Sequence, residues 1–209
     1  MTYRNVVWDM GGTLLDTYPA IDALFAQRVG ATGVRIDVAD VARLTRTSTS
    51  RAMSTLAERY DVTVAELTAA YADLKQLWRS EPPPVMPGAG EVIDAVRAAG
   101  GLNLVVTHRD RDSATDLLAA TGLVVDDMVC APDGYARKPD PQMYVLMAER
   151  HGLDPASCLS IGDRAIDAAG AAAAGMGTFF LTTPGLPLPK ELASDHVADQ
   201  LLDALVLLG

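Results

Sequence analysis

The chain is poor in cysteine and in aromatic residues. Its 209 residues include two cysteines, Cys130 and Cys158, and aromatic side chains make up 5% of the sequence. Neither cysteine has a partner at the spacing of a metal site, and both lie in apolar runs. We therefore expect two buried free thiols in a reducing compartment. With so few aromatic rings, the core must be built mainly from aliphatic side chains.

Positive charge is also scarce. Lysine and arginine number 17 against 27 acidic residues, which gives a formal net charge of −10 and a pI near 4.6. Nucleic acids and anionic membranes need positive surface on their partners, so the charge argues against both as partners. It does not argue against a small phosphorylated ligand, because a local pocket can be positive on an acidic protein.

Long hydrophobic runs are missing as well. No apolar segment reaches the ~18 residues that a membrane span needs, and no signal peptide precedes the first strand-like run. The overall composition, 49% hydrophobic and 21% charged, is that of a folded globular protein. We expect a cytoplasmic protein, and the sequence does not indicate its oligomeric state.

The chain between residues 18 and 78 is predicted to be wholly helical. Apolar residues recur there at helical spacing, and Asp37 and Thr63 stand where they can cap two of the helices. The block ends at three consecutive prolines, 82–84, which cannot continue a helix. We predict a helical domain at 17–82.

Strand-like and helix-like segments alternate in the rest of the chain, which predicts a parallel sheet with helices on both faces. The fold class is therefore α/β, with a Rossmann-like core formed by 1–16 and 83–209 and a small all-helical domain. The predicted strands are Asn5–Trp8, Leu102–Val106, Asp127–Cys130, Cys158–Ile161 and Thr178–Thr182. The predicted helices of the core are Ala89–Ala99, Asp112–Thr121, Pro141–His151, Ala165–Ala174 and Leu201–Leu208.

Polar side chains follow four of the predicted strands. Ligands bind at the carboxyl ends of strands in open α/β sheets, so these side chains are expected to converge. Asp9 and Asp163 offer the hard oxygen ligands that Mg²⁺ prefers. Lys138 and the hydroxyl of Thr107 can neutralise and hydrogen-bond phosphoryl oxygens. The combination predicts a magnesium site beside a phosphoryl-binding site.

These motifs, in this order and around a helical insertion, resemble the haloacid dehalogenase superfamily. The resemblance covers nearly the whole chain, from the motif at Asp9 to the acidic motif that ends at Asp167. It implies that Asp9 is the nucleophile and a magnesium ligand, with Asp163 and Asp167 as further ligands. It also implies that Thr107 and Lys138 hold the phosphoryl group and that the helical insertion is a cap domain.

The sequence departs from the family pattern at Gly11. Family phosphatases usually carry a second aspartate there, which protonates the leaving group and activates water, an effect worth ~10²–10⁴-fold. Glycine can do neither, although its backbone carbonyl can still bind the metal. Three interpretations are open. The protein is a slow or substrate-assisted phosphatase, or His108 supplies the missing acid and contacts the substrate, or the protein binds a phosphorylated ligand without efficient turnover.

Two further branches of the superfamily also lack the second aspartate. A dehalogenase would not need the carboxylates of Asp163 and Asp167, and a phosphonate hydrolase would need a cap lysine. Lys75 is the lysine available in the insertion, and no motif surrounds it. The sequence thus predicts a magnesium-dependent phosphatase acting on a small phosphorylated metabolite.

Four arginine and threonine side chains are weaker candidates for substrate contact. Arg164 stands where the family often has a small residue, and it either contacts phosphate or lies in solvent. Arg46, Thr47 and Arg51 belong to the helical insertion and are candidates for contact with the organic part of a substrate.

Overall fold

The strands form one parallel sheet in the computed structural model, which describes residues 2–209. The order across the sheet is β3-β2-β1-β4-β5-β6. The strands are β1 Asn5–Trp8, β2 Asn103–Thr107, β3 Asp127–Cys130, β4 Cys158–Gly162, β5 Gly177–Leu181 and β6 His196–Ala198. The central strands are buried on both faces, as parallel strands between helical layers must be. The predicted Rossmann-like α/β class is confirmed.

The chain divides into two compact units, one of Met1–Leu15 with Val85–Gly209 and one of Asp16–Pro84. The second unit is helical, with α1 Tyr18–Gly30, α2 Val38–Thr45, α3 Thr49–Arg59 and α4 Val64–Leu77. Asp37 and Thr63 cap α2 and α4, as predicted, by accepting hydrogen bonds from the backbone of Ala39 and Glu66 at 2.9 and 3.1 Å.

The helices of the first unit cover both faces of the sheet. They are α5 Ala89–Ala98, α6 Arg111–Thr121, α7 Gln142–His151 and α8 Ala165–Ala173. On β2, Leu104 and Val106 pack into one core cluster with Met143 of α7 and Ala171 of α8. Asn103 points the opposite way, because side chains alternate along a strand, and its amide donates to a carbonyl of α5 at 3.1 Å.

The C-terminal region has a helix where one was predicted and a strand that was not predicted. The predicted helix at 201–208 is a 3-10 helix over Leu201–Leu207. The edge strand His196–Ala198 was not predicted, because it is three residues long and partly exposed and carries no apolar run. β5 also begins and ends one residue earlier than the predicted Thr178–Thr182.

Both cysteines are buried and free. Burial raises the pKa of the Cys130 thiol to about 11. Among residues 2–209, no helix combines the length and the apolar character that crossing a bilayer requires.

Candidate active site

Two neighbouring strands place the acidic residues of the site. β1 and β4 pair in register, so Asp9 and Asp163 leave the sheet side by side at its carboxyl edge. The amide of Asp9 donates to the carbonyl of Ile161 at 2.9 Å, which continues the strand pairing up to the site. The chain then turns at Gly12, whose φ of 88° lies in the left-handed region that favours glycine.

Three carboxyl groups meet at this edge. One oxygen from each of Asp9, Asp163 and Asp167 lies within 4.8 Å of the others, and all three residues are at most 5% exposed. The backbone N–H of Arg164 donates to Oδ2 of Asp167 at 3.0 Å, and the hydroxyl of Thr13 donates to Oδ1 of Asp163 at 3.4 Å. These bonds hold the carboxylates in place.

The donor set fits a magnesium ion. Carboxylate oxygens are the ligands that this hard cation prefers, and three buried carboxyl groups outnumber the two cationic side chains beside them. A small divalent cation would balance their charge. The backbone carbonyl of Gly11, in the turn after β1, is the fourth predicted ligand.

Lys138 lies at the centre of the site and is fully buried at its side chain. Its ammonium group donates to Oδ1 of Asp9 at 2.5 Å and to the carbonyl of Val106 at 3.0 Å. A third contact, at 2.6 Å, pairs it with Oδ1 of Asp167. An ammonium group has three N–H donors, of which two make hydrogen bonds here, while the contact with Asp167 is an ion pair.

The charges settle the ionisation of Asp9 and Lys138. Burial alone would raise the pKa of the Asp9 carboxyl, but the charges of Lys138 and Arg164, with hydrogen bonds from Lys138 and the Met10 amide, hold that pKa below its usual range. Burial likewise opposes the charge on Lys138, and the carboxylates of Asp167 and Asp9 outweigh it and raise the lysine pKa. Asp9 is therefore an anion at neutral pH, as a nucleophile must be.

Thr107 and His108 follow β2 at the same edge of the sheet. The Thr107 hydroxyl accepts a hydrogen bond from the amide of Arg109 at 3.1 Å, which leaves its own proton directed elsewhere. Nε2 of His108 accepts from the backbone N–H of Lys138 at 2.8 Å, so this nitrogen carries no proton. Burial, with the charges of Lys138 and Arg137, lowers the pKa of His108 to about 3. The ring is therefore neutral and ties two loops together, which disfavours it as the missing acid.

Arg164 does not lie in solvent. Its side chain is 14% exposed, and Nη2 lies 3.7 Å from Oδ1 of Asp9 while Nε lies 3.9 Å from Oδ2 of Asp167. The backbone hydrogen bond to Asp167 fixes the residue at the start of α8. Sequence reasoning left this position open, because a charged residue at a loop end is usually solvated.

Sequence reasoning missed Tyr144. Its buried hydroxyl donates to the backbone carbonyl of Asp167 at 3.3 Å and so supports the start of α8 from below the sheet edge. The sequence carries no signal for this role, since a tyrosine on the apolar face of a helix is ordinarily a core residue.

The candidates in the helical unit lie apart from this set in the sequence and form contacts of their own. Arg46 pairs with buried Asp22 at 3.1 Å, and its guanidinium stacks 3.5 Å from the ring centroid of Tyr18. Arg51 donates its backbone N–H to the capping hydroxyl of Ser48. The contacts of Arg46 join the end of α2 to α1, and the bond from Arg51 caps the start of α3.

The sequence is similar to those of several known proteins. Residues 3–175 match the haloacid dehalogenase-like hydrolases. The phosphoglycolate phosphatase of Vibrio vulnificus is 29% identical over 98% of this chain and 96% of its own. The (S)-2-haloacid dehalogenase 4A of Burkholderia cepacia is 27% identical over 91% of this chain and 87% of its own.

Solved structures show the same architecture. A structure described as a predicted phosphoglycolate phosphatase from Haemophilus somnus 129pt superposes with a TM-score of 0.82, covers 99% of this chain and 98% of its own, and is 18% identical. At that identity the likeness establishes the fold. With the match over residues 3–175, the chain belongs to the haloacid dehalogenase-like hydrolase family, and the protein is a hydrolase.

Proposed function

We propose that the protein is a magnesium-dependent phosphatase that transfers the phosphoryl group of a small metabolite to Asp9 and then to water. The observation that carries the proposal is the buried cluster of Asp9, Asp163 and Asp167 around the ammonium of Lys138. Two of these carboxylates have no evident use in a metal-free reaction. The phosphatases among the relatives support the same chemistry.

Each residue of the site would have a separate role in the reaction. Asp9 attacks phosphorus, because its carboxylate is ionised and held at the end of β1. Lys138 fixes the orientation of that carboxylate, and the Thr107 hydroxyl donates to a phosphoryl oxygen. A magnesium ion held by Asp9, Asp163, Asp167 and the Gly11 carbonyl would supply positive charge to the phosphoryl oxygens.

The proposal also covers the helical unit and the compartment in which the protein works. The helical unit at 17–82 would act as a cap that excludes water and recognises the organic part of the substrate. The net charge of −10 argues against nucleic acid and anionic membranes as partners, so the expected substrate is a free metabolite. The protein is also expected to work in the cytoplasm.

Gly11 favours a second candidate function, a phosphate-ligand-binding protein with little turnover. The neutral His108 supports this candidate further, because this side chain then does not replace the absent acid. Dehalogenation is a weaker alternative. One relative is a dehalogenase, but the buried carboxylates at Asp163 and Asp167 favour a metal-dependent reaction.

A screen of phosphorylated metabolites with magnesium, and with chelator in its place, tests the proposal. We expect magnesium-dependent release of phosphate that falls at least about 10³-fold in Asp9→Asn, because the covalent step is lost. Asp94→Asn, which removes an exposed carboxylate on α5, is the matched control and should keep wild-type activity.

Three outcomes would reject the phosphatase proposal. Full magnesium-dependent activity in Asp9→Asn would remove the nucleophile assignment. Tight binding of phosphate esters with no turnover above a catalyst-free blank would leave the ligand-binding function in its place, and release of halide from a 2-haloacid would favour the dehalogenase.

A further inference from the structure

The guanidinium group of Arg164 lies beside Asp9, the proposed nucleophile. We propose that Arg164 is a catalytic residue that binds the transferring phosphoryl group and stabilises the charge that develops as the leaving group departs. The inference rests on the proposed phosphatase function and names a further part of the same site. Its grounds are the position of Arg164, the occupied donors of Lys138 and the missing side chain at Gly11.

The first step concerns reach. Nη2 of Arg164 is 3.7 Å from Oδ1 of Asp9. A phosphorus atom poised for attack lies about 3–3.5 Å from the attacking oxygen. The phosphoryl oxygens around that phosphorus therefore come within hydrogen-bonding distance of the guanidinium. The backbone N–H bond from Arg164 to Asp167 keeps the residue at this place.

The second step concerns donors. Lys138 is the other cation beside Asp9, and it makes hydrogen bonds to Asp9 and the carbonyl of Val106 and an ion pair with Asp167. It therefore orients the carboxylates, and two of its three N–H donors are already in use. A guanidinium carries five N–H donors in a planar fork that suits phosphate oxygens. Arg164 can bind a phosphoryl oxygen while it remains close to Asp9.

The third step concerns the leaving group. As the bond from Asp9 to phosphorus forms, the bond from phosphorus to the leaving oxygen breaks, and that oxygen departs with the electron pair. Gly11 cannot protonate it, so its proton must come from water. Arginine stays protonated at working pH and cannot act as an acid. The leaving oxygen lies opposite Asp9 across phosphorus, so Arg164, beside Asp9, stabilises the negative charge on the phosphoryl oxygens between them.

A simpler role for Arg164 would be to neutralise the three carboxyl groups. The two roles predict different effects on two ligands. If Arg164 only balances charge, removing it should disturb the carboxylates and weaken magnesium binding. If it binds the phosphoryl group, removing it should weaken phosphate binding and leave magnesium binding unchanged or tighter, since a competing cation has gone.

The experiment compares Arg164→Gln with Arg164→Lys and with Arg97→Gln. Arg97 lies on α5, and its guanidinium donates to the carbonyl of Val124 at 2.6 Å, in the loop that leads into the amino end of β3. It is therefore a matched loss of one charge away from the carboxyl edge. Calorimetry measures the dissociation constants of inorganic phosphate with magnesium present and of magnesium alone, and circular dichroism checks folding.

We expect phosphate to bind at least about tenfold more weakly to Arg164→Gln, with an intermediate loss in Arg164→Lys, since a hydrogen bond to a charged group is among the stronger ones. Turnover should fall for alkyl phosphates and for p-nitrophenyl phosphate alike, because both carry the same phosphoryl oxygens. Magnesium affinity should not weaken, and Arg97→Gln should match the wild type in both titrations.

Phosphate affinity within twofold of wild type in Arg164→Gln would overturn the inference, and so would parallel losses of phosphate and magnesium affinity. If the wild type turns over substrates in the metabolite screen, either result leaves the phosphatase function intact. A wild type that neither hydrolyses esters nor binds phosphate would overturn the function and the inference together.

Discussion

At the scale of single residues, Gly11 and Gly12 stand next to each other and differ in what they tolerate. Gly12 has a φ of 88°, which strains any residue with a side chain. Gly11 is not among the positive-φ glycines and is half-buried, so its backbone conformation admits a side chain. The backbone angle at this position therefore does not itself require glycine.

Replacing Gly11 with aspartate should increase turnover on alkyl phosphates by ~10²–10⁴-fold, because a carboxyl group there can protonate the leaving oxygen. The gain on p-nitrophenyl phosphate should be smaller. Steady-state kinetics on both esters measure the difference. Gly11→Asn is the matched control, since it has the same shape and no acid function, and equal rates in the two variants would contradict the prediction.

The limits of sequence reasoning are also clearest at this scale. The positions of Asp9, Lys138 and Asp163 at strand ends followed from motif order, and the structure brings them together. Motif order did not predict that Lys138 contacts three protein acceptors. It also did not predict that the side chain of Arg164 is mostly buried beside Asp9. Both features depend on side-chain directions and on the partners that burial imposes, neither of which a motif encodes.

At the scale of elements, the junction of β4 and α8 decides the geometry of the acidic cluster. Gly162 ends β4, and a Cβ placed on it would lie 2.4 Å from Cβ of Asp167. No flexible atom can yield there, because the neighbour is the base of a buried side chain. The absence of a side chain at Gly162 thus lets Asp167 pack directly over the strand end.

Gly162→Ala should displace Asp167, weaken magnesium binding at least about tenfold and lower the free energy of unfolding by ~1–3 kcal/mol, the usual cost of overpacking. Calorimetry and urea denaturation measure the two effects. Gly90→Ala is the control, because a Cβ at Gly90 meets nothing within 4 Å and alanine is the better helix former. A Gly162→Ala protein with wild-type affinity and stability would show that the junction can relax.

Elements with strong periodicity were predictable, and weak ones were not. The apolar runs of β1, β2 and β4 and the capped helices at Asp37 and Thr63 appear where they were expected. The helix at Leu201–Leu207 was predicted without its type, because an apolar run does not distinguish i→i+3 from i→i+4 hydrogen bonding. The short strand at His196–Ala198 pairs only with β5, a contact that sequence pattern cannot show.

At the scale of the whole molecule, the acidic cluster belongs to a chain that already carries a net charge of −10. Like charges at the site therefore oppose folding when no cation is bound. We expect magnesium to raise the melting temperature, with a gain in unfolding free energy of about 2.7 kcal/mol at a hundred times the dissociation constant.

Asp163→Asn should reverse the order of stability. Without magnesium the variant should melt above the wild type, since one of three crowded carboxylates is gone, and with magnesium it should melt below. Scanning calorimetry at matched ionic strength, with Asp94→Asn as the control, checks both conditions. An equal response to magnesium in wild type and Asp163→Asn would contradict the assignment of Asp163 as a ligand.

The pairing of β1 has a consequence for how the protein is made. Trp8 lies between Val105 of β2 and Ile161 of β4, and neither partner is near it in the sequence. At ~5–20 residues per second, a ribosome completes β4 roughly 8–30 s after β1. β2 is made before β4, so one edge of this apolar strand stays open until β4 is complete, and an open strand edge can pair with another chain. Asp9 is thus synthesised well before Asp163 and Asp167, the carboxylates that share its site.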